Sequence, residues 1–586
     1  MEQQTPGVYI NEINAFPNSV VEVATAVPVF IGYTSQASYK GESLTNKARR
    51  VTSLKEFESY YGQGALTTFT LLEAPRLGAG ATTLALGEGK EGGNSKAVAK
   101  PKKEGGDEED GTTTDVVKPL IGTMTLQLSD KNVYALAPTS HSYYLYNNMR
   151  LFYQNGGSTC YVISLGGYEA PTPGAVNPPA LGDKQKFLDA IDSLIYEQEP
   201  TMIVAPDALL LSEGDYYDVM KYALAHCAET QSRVTLVDVY YGAATDPRDV
   251  PQIITDFRTN IGQSNLKYGA AYFPWVHTNV LSGSDTTFMN FDPGFVDGIK
   301  ALVANAAKNG GSSADPAVEE VKVPTDEPAL TTNGNSAAFT EIQSAYARVQ
   351  ELDEELSSDA TLTDYAKIQQ VHNTLMVMSK DYVLVTSAIG RYLNTLPASS
   401  AMAGVYASVD KGRGVWKAPA NVSLNAVQSP TVSLSDKDQA NLNVDAVTGK
   451  SVNAIRPFPG LGVLVWGART LDGNSQDWRY VNVRRTMIMI EQSIKLACRA
   501  YVFEPNDANT WVTVKSMINS FLFNLWKQGA LAGASPDDAY SVAVGLGSTM
   551  TADDILNGYM NVFVKVAISR PAEFIVLNFQ QQMQKS

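Results

Sequence analysis

Over residues 160–276, short and mostly apolar runs alternate with helical stretches, and no other feature of the 586 residues limits the fold as much. The runs are CYVISL, TMIVAPD, RVTLVDV and YGAAYFPWV; KQKFLDAIDSLIYEQ, GDYYDVMKYALAHCAE and a helical pattern over residues 250–261 separate them. A strand that is apolar at every position has both faces covered, so helices must flank a mainly parallel sheet. Upstream, residues 20–25 and 27–33 read as extended. VTSLKEFESYYG reads as a helix with Ser53 at its N-cap, Glu56 as capping partner and Gly62 as its stop.

Two stretches break this pattern. Residues 87–114 combine Gly, Lys, Glu and Asp with almost no bulky apolar side chain, so ordering them would bury too little surface; they read as a flexible insertion. Residues 281–398 begin rich in Gly, Asn and Pro and continue as two helical patterns. Phe339, Ile342, Tyr346, Val349, Leu352 and Leu356 form the first apolar stripe. Leu362, Tyr365, Ile368, Val371, Leu375, Met378 and Tyr382 form the second, which predicts an antiparallel helix hairpin turning at SSDAT.

The remainder is mixed. GLGVLVWGAR reads as a strand, residues 483–502 and 511–527 as long helices, and TADDILNG as a short helix with a capping box at Thr551 and Asp554. Both ends are strand-patterned. Val8, Tyr9 and Ile10, then Val20, Val21 and Val23, mark the first; Val562, Val564, Val566 and Ile568 alternate in the last, with Ile575 and Leu577 continuing past Pro571. The expected fold class is therefore α/β and α+β multidomain, with a parallel-sheet body, a mixed C-terminal domain, strand-like arms and an inserted helical hairpin.

Charge and motifs narrow the function. A net charge of -16 opposes nucleic-acid binding, which needs clustered Lys and Arg against phosphates. Neither a basic-then-apolar leader nor a run of about eighteen apolar residues occurs. Synthesis in the cytoplasm, with no signal peptide and no direct membrane insertion, is the expectation. Cys160, Cys227 and Cys498 are an odd, scattered set that suits reduced core positions. His141, His226, His277 and His372 lie in four separate segments without metal-ligand spacing. Gly449-Lys450-Ser451 lacks the earlier glycine of a phosphate loop, since Val444 stands there. Gly460 and Gly462 imitate a dinucleotide fingerprint whose third glycine is replaced by Val465. Glu351, Asp353, Glu354 and Glu355 read as the solvated face of a helix. No catalytic, metal or cofactor residue emerges, and the chain is not expected to be an enzyme.

PGVYINEI (6–13), VPVFIGYTSQA (27–37), LFYQNGGSTCYVISL (151–165), VNAIRPFPGLGVLVWGARTL (452–471), WRYVNVRRTMIMIEQSI (478–494) and residues 503–533 stand in this order along the chain. In order and in spacing, these blocks resemble contractile tail sheath subunits of phage tails, R-type tailocins and extracellular contractile injection systems. VWGARTL together with NVRRT is the most specific pairing.

The resemblance implies a structural subunit that polymerises helically around an inner tube and contracts to drive that tube through a target envelope. Its implied partners are further copies of itself, the inner tube protein, and the baseplate and cap proteins of a released, virion-like particle. It implies an N-terminal linking arm (1–26), an α/β body (27–86 and 115–280), an inner assembly domain (399–558) and a C-terminal linking arm (559–586), with both insertions facing outward. Lys515 and Lys527 are the tube-facing candidates. A sheath-like cap or terminator protein, and an α/β enzyme with an unrecognised site, are the alternatives. Cutting the chain after Val562 is expected to abolish assembly and leave the α/β body folded.

Overall fold

A computed structural model describes residues 20–73, 120–121, 124–128, 133–170, 176–291 and 365–578. Val8, Tyr9, Ile10, residues 87–114 and the helical pattern of residues 339–356, with its carboxylates, lie outside them.

The nine strands of the main sheet are, in chain order, β1 (Pro28–Gly32), β2 (Arg49–Val51), β3 (Cys160–Ser164), β4 (Met202–Val204), β5 (Val234–Asp238), β6 (Gly269–Phe273), β7 (Val422–Ser423), β8 (Asn453–Phe458) and β9 (Gly462–Val465). Their spatial order is β7-β9-β8-β6-β5-β4-β1-β3-β2. The six central strands, from β8 through β3, pair in parallel, while β2 and the β9–β7 edge run antiparallel. Every residue of β1, β4, β5 and β6 is buried. Consecutive strand residues face opposite ways, so both sheet faces are covered, as the unbroken apolar runs predict.

The helices are α1 (Leu54–Tyr61), α2 (Leu145–Gln154), α3 (Lys184–Ser193), α4 (Glu213–Thr230), α5 (Val250–Asn260), α6 (Tyr365–Met378), α7 (Lys380–Leu393), α8 (Ser399–Arg413), α9 (Asp436–Asn443), α10 (Val481–Cys498), α11 (Ala508–Lys527), α12 (Pro536–Ala539) and α13 (Ala552–Leu556). Two helix pairs, α2 with α8 and α3 with α4, cover the sheet. At α1, Ser53 Oγ accepts from Glu56 N as expected, but the Glu56 carboxylate reaches one residue further back and accepts from Thr52 N at 2.7 Å.

Two boundaries differ from expectation. The second helical stripe is not one helix running through Tyr382: it breaks at Ser379, whose hydroxyl caps α7 by accepting from Tyr382 N at 3.2 Å. His372 Nδ1 meets Tyr382 Oη at 2.9 Å, and Thr386 Oγ1 meets Met376 Sδ at 3.7 Å, so α7 folds back on α6 at that serine. The second difference is the expected domain start at residue 399, which cuts through one sheet. β8 pairs with β6 of the body, and α8 packs on α2.

Burial shows where the division falls. One apolar cluster runs from β1 to Val481 and Ile488; a second joins Met489 and Ile490 to Val514, Ile518, Leu522, Leu525 and Val542. α10 spans both, and the C-terminal unit begins there.

Candidate assembly site at the roots of the two ends

The N-terminal stretch is fastened where it enters the body. NVRRT opens α10, and adjacent helical residues project about 100° apart, so its two arginines serve different contacts. The Arg484 guanidinium lies 4.6 Å from the Trp478 ring centroid and 4.9 Å from that of Tyr268, and Nη2 donates to Glu491 at 2.9 Å. Arg485 instead forms a two-pronged pair with Asp410 at the end of α8, at 3.0 and 2.6 Å. The two side chains are only 4% and 6% exposed. Arg485 Nη2 also donates to Thr25 O at 2.9 Å, and Thr25 Oγ1 donates to Asp410 Oδ2 at 2.6 Å. Thr201 Oγ1 donates to the same Thr25 carbonyl at 2.7 Å, and Val23 N donates to Ser493 Oγ at 3.1 Å. Val20 and Val23 rest on the second apolar cluster, whereas Val21 is 66% exposed. Its described part, residues 20–26, forms no ladder, so the strand expected over residues 20–25 is not present there. A groove of about 580 Å³ adjoins it, bounded by Thr25, Ile195, Arg233, Arg485, Met489 and Leu496.

The C-terminal end is built in two parts. Phe563–Val566 (β11) pairs antiparallel with Tyr540–Ala543 (β10) of the same chain, with Val564 opposite Val542. Ile568 bridges Leu531, and Val562, Val564, Val566 and Ile568 pack on the second cluster. The alternation therefore marks a hairpin whose inner face covers α11. Within the chain these four residues pack on the second cluster, where Val542, Ile518 and Leu522 supply apolar surface.

Beyond Arg570 the character changes. Glu573 accepts from Arg469 Nε at 3.0 Å, Arg469 Nη2 at 2.7 Å, Asn443 Nδ2 at 2.6 Å and Tyr480 Oη at 3.0 Å. Burial pushes its carboxyl up, but the hydrogen bonds from Arg469 and Asn443 outweigh that and hold it below the usual range. Arg469, the arginine of VWGARTL, is 4% exposed and also donates to Asn443 O and Gly473 O. Immediately after Glu573, Phe574, Ile575, Val576 and Leu577 are 71% to 79% exposed.

Lys515 and Lys527 are both exposed on α11, and Lys527 Nζ lies 4.5 Å from the centroid of the Phe523 ring. The buried face of α11 carries Val514, Met517, Ile518, Phe521, Leu522 and Leu525.

The discarded motifs have structural uses. Lys450 is buried and donates to Arg258 O, Ser451 Oγ donates to Asn443 O at 2.6 Å, and a Cβ at Gly473 would sit 1.8 Å from Ser451 Oγ. Gly460 and Gly462 adopt φ of 76° and 81° in the turn between β8 and β9. The histidines are scattered: His226 contacts Arg233, His277 contacts Thr395, His372 contacts Tyr382, and His141 lies 3.5 Å from Glu169. Among the described residues no group of three His, Cys, Asp or Glu could hold a metal ion, and no helix is long and apolar enough to cross a membrane.

Sequence reasoning singled out VWGARTL and NVRRT as markers without assigning their arginines a task, and it passed over Asp410 and Glu573. The available signal was a lone charge within an apolar run: Arg469 in LVWGARTL and Glu573 in PAEFIVL.

Comparisons with known proteins give one family match and several partial relatives. Residues 474–582 match the model of the phage tail sheath C-terminal domain. The tail sheath protein of Vibrio phage KVP40 is 27% identical over 187 residues, which are 31% of this chain and 26% of that relative. The tail sheath protein of Burkholderia phage BcepMu is 28% identical over 142 residues, covering 23% and 29%. The matched stretches thus span less than a third of either curated relative. Over the whole length the fold is shared with a chain of the anti-feeding prophage baseplate, at 24% identity, a TM-score of 0.51 and coverage of 99% and 100%. It is likewise shared with a chain of the PVC extracellular contractile injection system sheath complex in its contracted state, at 22%, a TM-score of 0.52 and coverage of 99% of both chains.

Proposed function

We propose, for a chain that belongs to the contractile tail sheath family, that it is the structural subunit of a sheath, polymerising helically with copies of itself around an inner tube and contracting to drive that tube outward. The observation that carries this reading is the phage tail sheath C-terminal domain at residues 474–582, resting on a fold shared with injection-system subunits along the chain. Baseplate and cap proteins of an extracellular, phage tail-like particle are the further partners.

The two ends act as linking arms to neighbouring subunits. A chain terminus stays ordered only if tied down, and both roots here are tied by buried arginines. Strand addition supplies affinity through main-chain hydrogen bonds, and head-to-tail contacts that do not close generate a helical filament. Contraction is then a rigid-body movement of subunits that keeps the arm links as hinges. On this reading Ile575 and Leu577 are arm residues with Val8, Tyr9 and Ile10, and residues 1–26 are the N-terminal arm. Lys515 and Lys527 on the exposed face of α11 are the tube contacts.

Electron microscopy of the purified full-length chain tests this. Hollow helical cylinders are expected; monodisperse monomers at high concentration, with no cylinders when the tube protein is added, would overturn it.

A further inference from the structure

We infer that Glu573 is the positioning residue of the C-terminal arm. Held by Arg469, Asn443 and Tyr480, it fixes the direction in which Phe574–Val576 and Leu577 leave the subunit, so that a second copy of this chain can cover them. The inference rests on the arm reading above and adds the mechanical point from which the arm springs.

Three observations carry it. The Glu573 carboxylate accepts from three different residues, one of them through the two-pronged guanidinium contact that fixes orientation as well as distance. Arg469 lies on the segment after β9, Asn443 at the end of α9 and Tyr480 at the N-cap of α10, so the arm is referenced to three elements at once. The next four residues are all large and apolar, and all are 71% to 79% exposed.

Four successive exposed apolar residues present apolar surface on every side of the segment, unlike β11, where half-buried and exposed positions alternate. An apolar segment this exposed, in a chain read as a sheath subunit, calls for a site in another subunit, and a second copy is the occupant present in every assembly.

The geometry also explains why the anchor is a carboxylate beside an arginine and not an apolar contact. An apolar contact would hold the segment loosely in direction. A two-pronged ion pair, almost excluded from water on the arginine side, sets an angle; an arm wandering through many directions would lose part of its binding energy to ordering.

The test uses the full-length protein, Glu573→Gln, Tyr480→Phe and a chain ending at Glu573. Assembly is followed against concentration by sedimentation and microscopy, and a spin label at Ile575→Cys, in a Cys498→Ser background, reports arm mobility in the unassembled subunit. Glu573→Gln should raise the concentration for half-maximal assembly about tenfold or more, as expected from the loss of one charge-assisted hydrogen bond. Tyr480→Phe, which leaves the ion pair intact and so protects the test against misfolding, should raise it less. Both should sharpen the label's spectrum. Assembly at the normal concentration by both variants, with the truncated chain failing to assemble, would overturn the positioning role and leave the arm reading standing. Cylinders from the truncated chain would overturn the arm reading and this inference with it.

Discussion

Asp207 shows how single residues set the body. It has no exposed surface, and its carboxylate accepts from Tyr33 N at 2.8 Å, Tyr144 N at 2.6 Å and Leu145 N at 3.1 Å. One side chain thus joins the end of β1 to the free N–H groups opening α2. A Cβ at Gly32 would lie 2.5 Å from Asp207 Oδ2, which explains the glycine that ends β1. Burial pushes the carboxyl up to about 7, against the pull of those three N–H bonds. Asp207→Asn would turn an N–H donor toward Tyr33 N or Tyr144 N, so it should destabilise the body by about 1–3 kcal/mol. Because the folded-state pKa lies above the unfolded one, the proton retained by Asp207 stabilises the native chain below about pH 4, and that contribution fades as pH rises through about 7. Urea unfolding should therefore show the lead of wild type over Asp207→Asn shrinking across that window. A constant difference would refute the assignment. TMIVAPD identifies the strand before Asp207 but carries no sign that the aspartate would be buried, because its three donors lie 62 to 174 residues away in the chain.

At the scale of elements, α10 is the beam that joins the two halves. Its first turns enter the main core through Val481 and Ile488, and Met489 and Ile490 enter the second cluster. The hairpin of β10 and β11 closes that second cluster over α11. Ending the chain after Val562 would therefore remove Val564, Val566 and Ile568 from their packing, in addition to any arm. The C-terminal unit should then unfold at a lower temperature, at a loss of about 1 kcal/mol for each half-buried side chain. A chain ending at Glu573 should keep its calorimetric transition and fail only in assembly. Equal transitions from the two truncations would show that β11 contributes nothing to the unit. The helix break at Ser379 was hidden for a related reason. The apolar spacing continues through it, and only a serine hydroxyl aimed at Tyr382 N separates one helix from two.

For the whole molecule, the two long stretches outside the described residues leave from one platform. Phe69–Glu73 and Met124–Gln127, which flank residues 74–119, both pair with Val133–Pro138. Phe291, before residues 292–364, bridges Phe69, and α7 packs on the same small sheet, with the Tyr392 and Phe69 ring centroids 5.1 Å apart. A platform separate from α10, α11 and the arm roots can carry added chain without disturbing them. Removing residues 89–112 should accordingly leave cylinders of unchanged diameter and length in electron micrographs. Their loss would show that the stretch makes an essential subunit contact.

Local periodicity was enough to read the parallel strands, the helices between them, the capped start of α1 and the strand character of the C-terminal end, because each depends on neighbours within a few residues. The departures of the two glycine motifs from nucleotide-site spacing, at Val444 and Val465, were equally local. Tertiary structure decided what those elements do to one another. β8 joins β6 across roughly 180 residues, Arg485 ties Thr25 to Asp410, and Arg469 ties Glu573 from 104 residues away. Such pairs leave no spacing to detect. An arginine in an apolar run announces that it must find a partner, and only the folded chain selects which one.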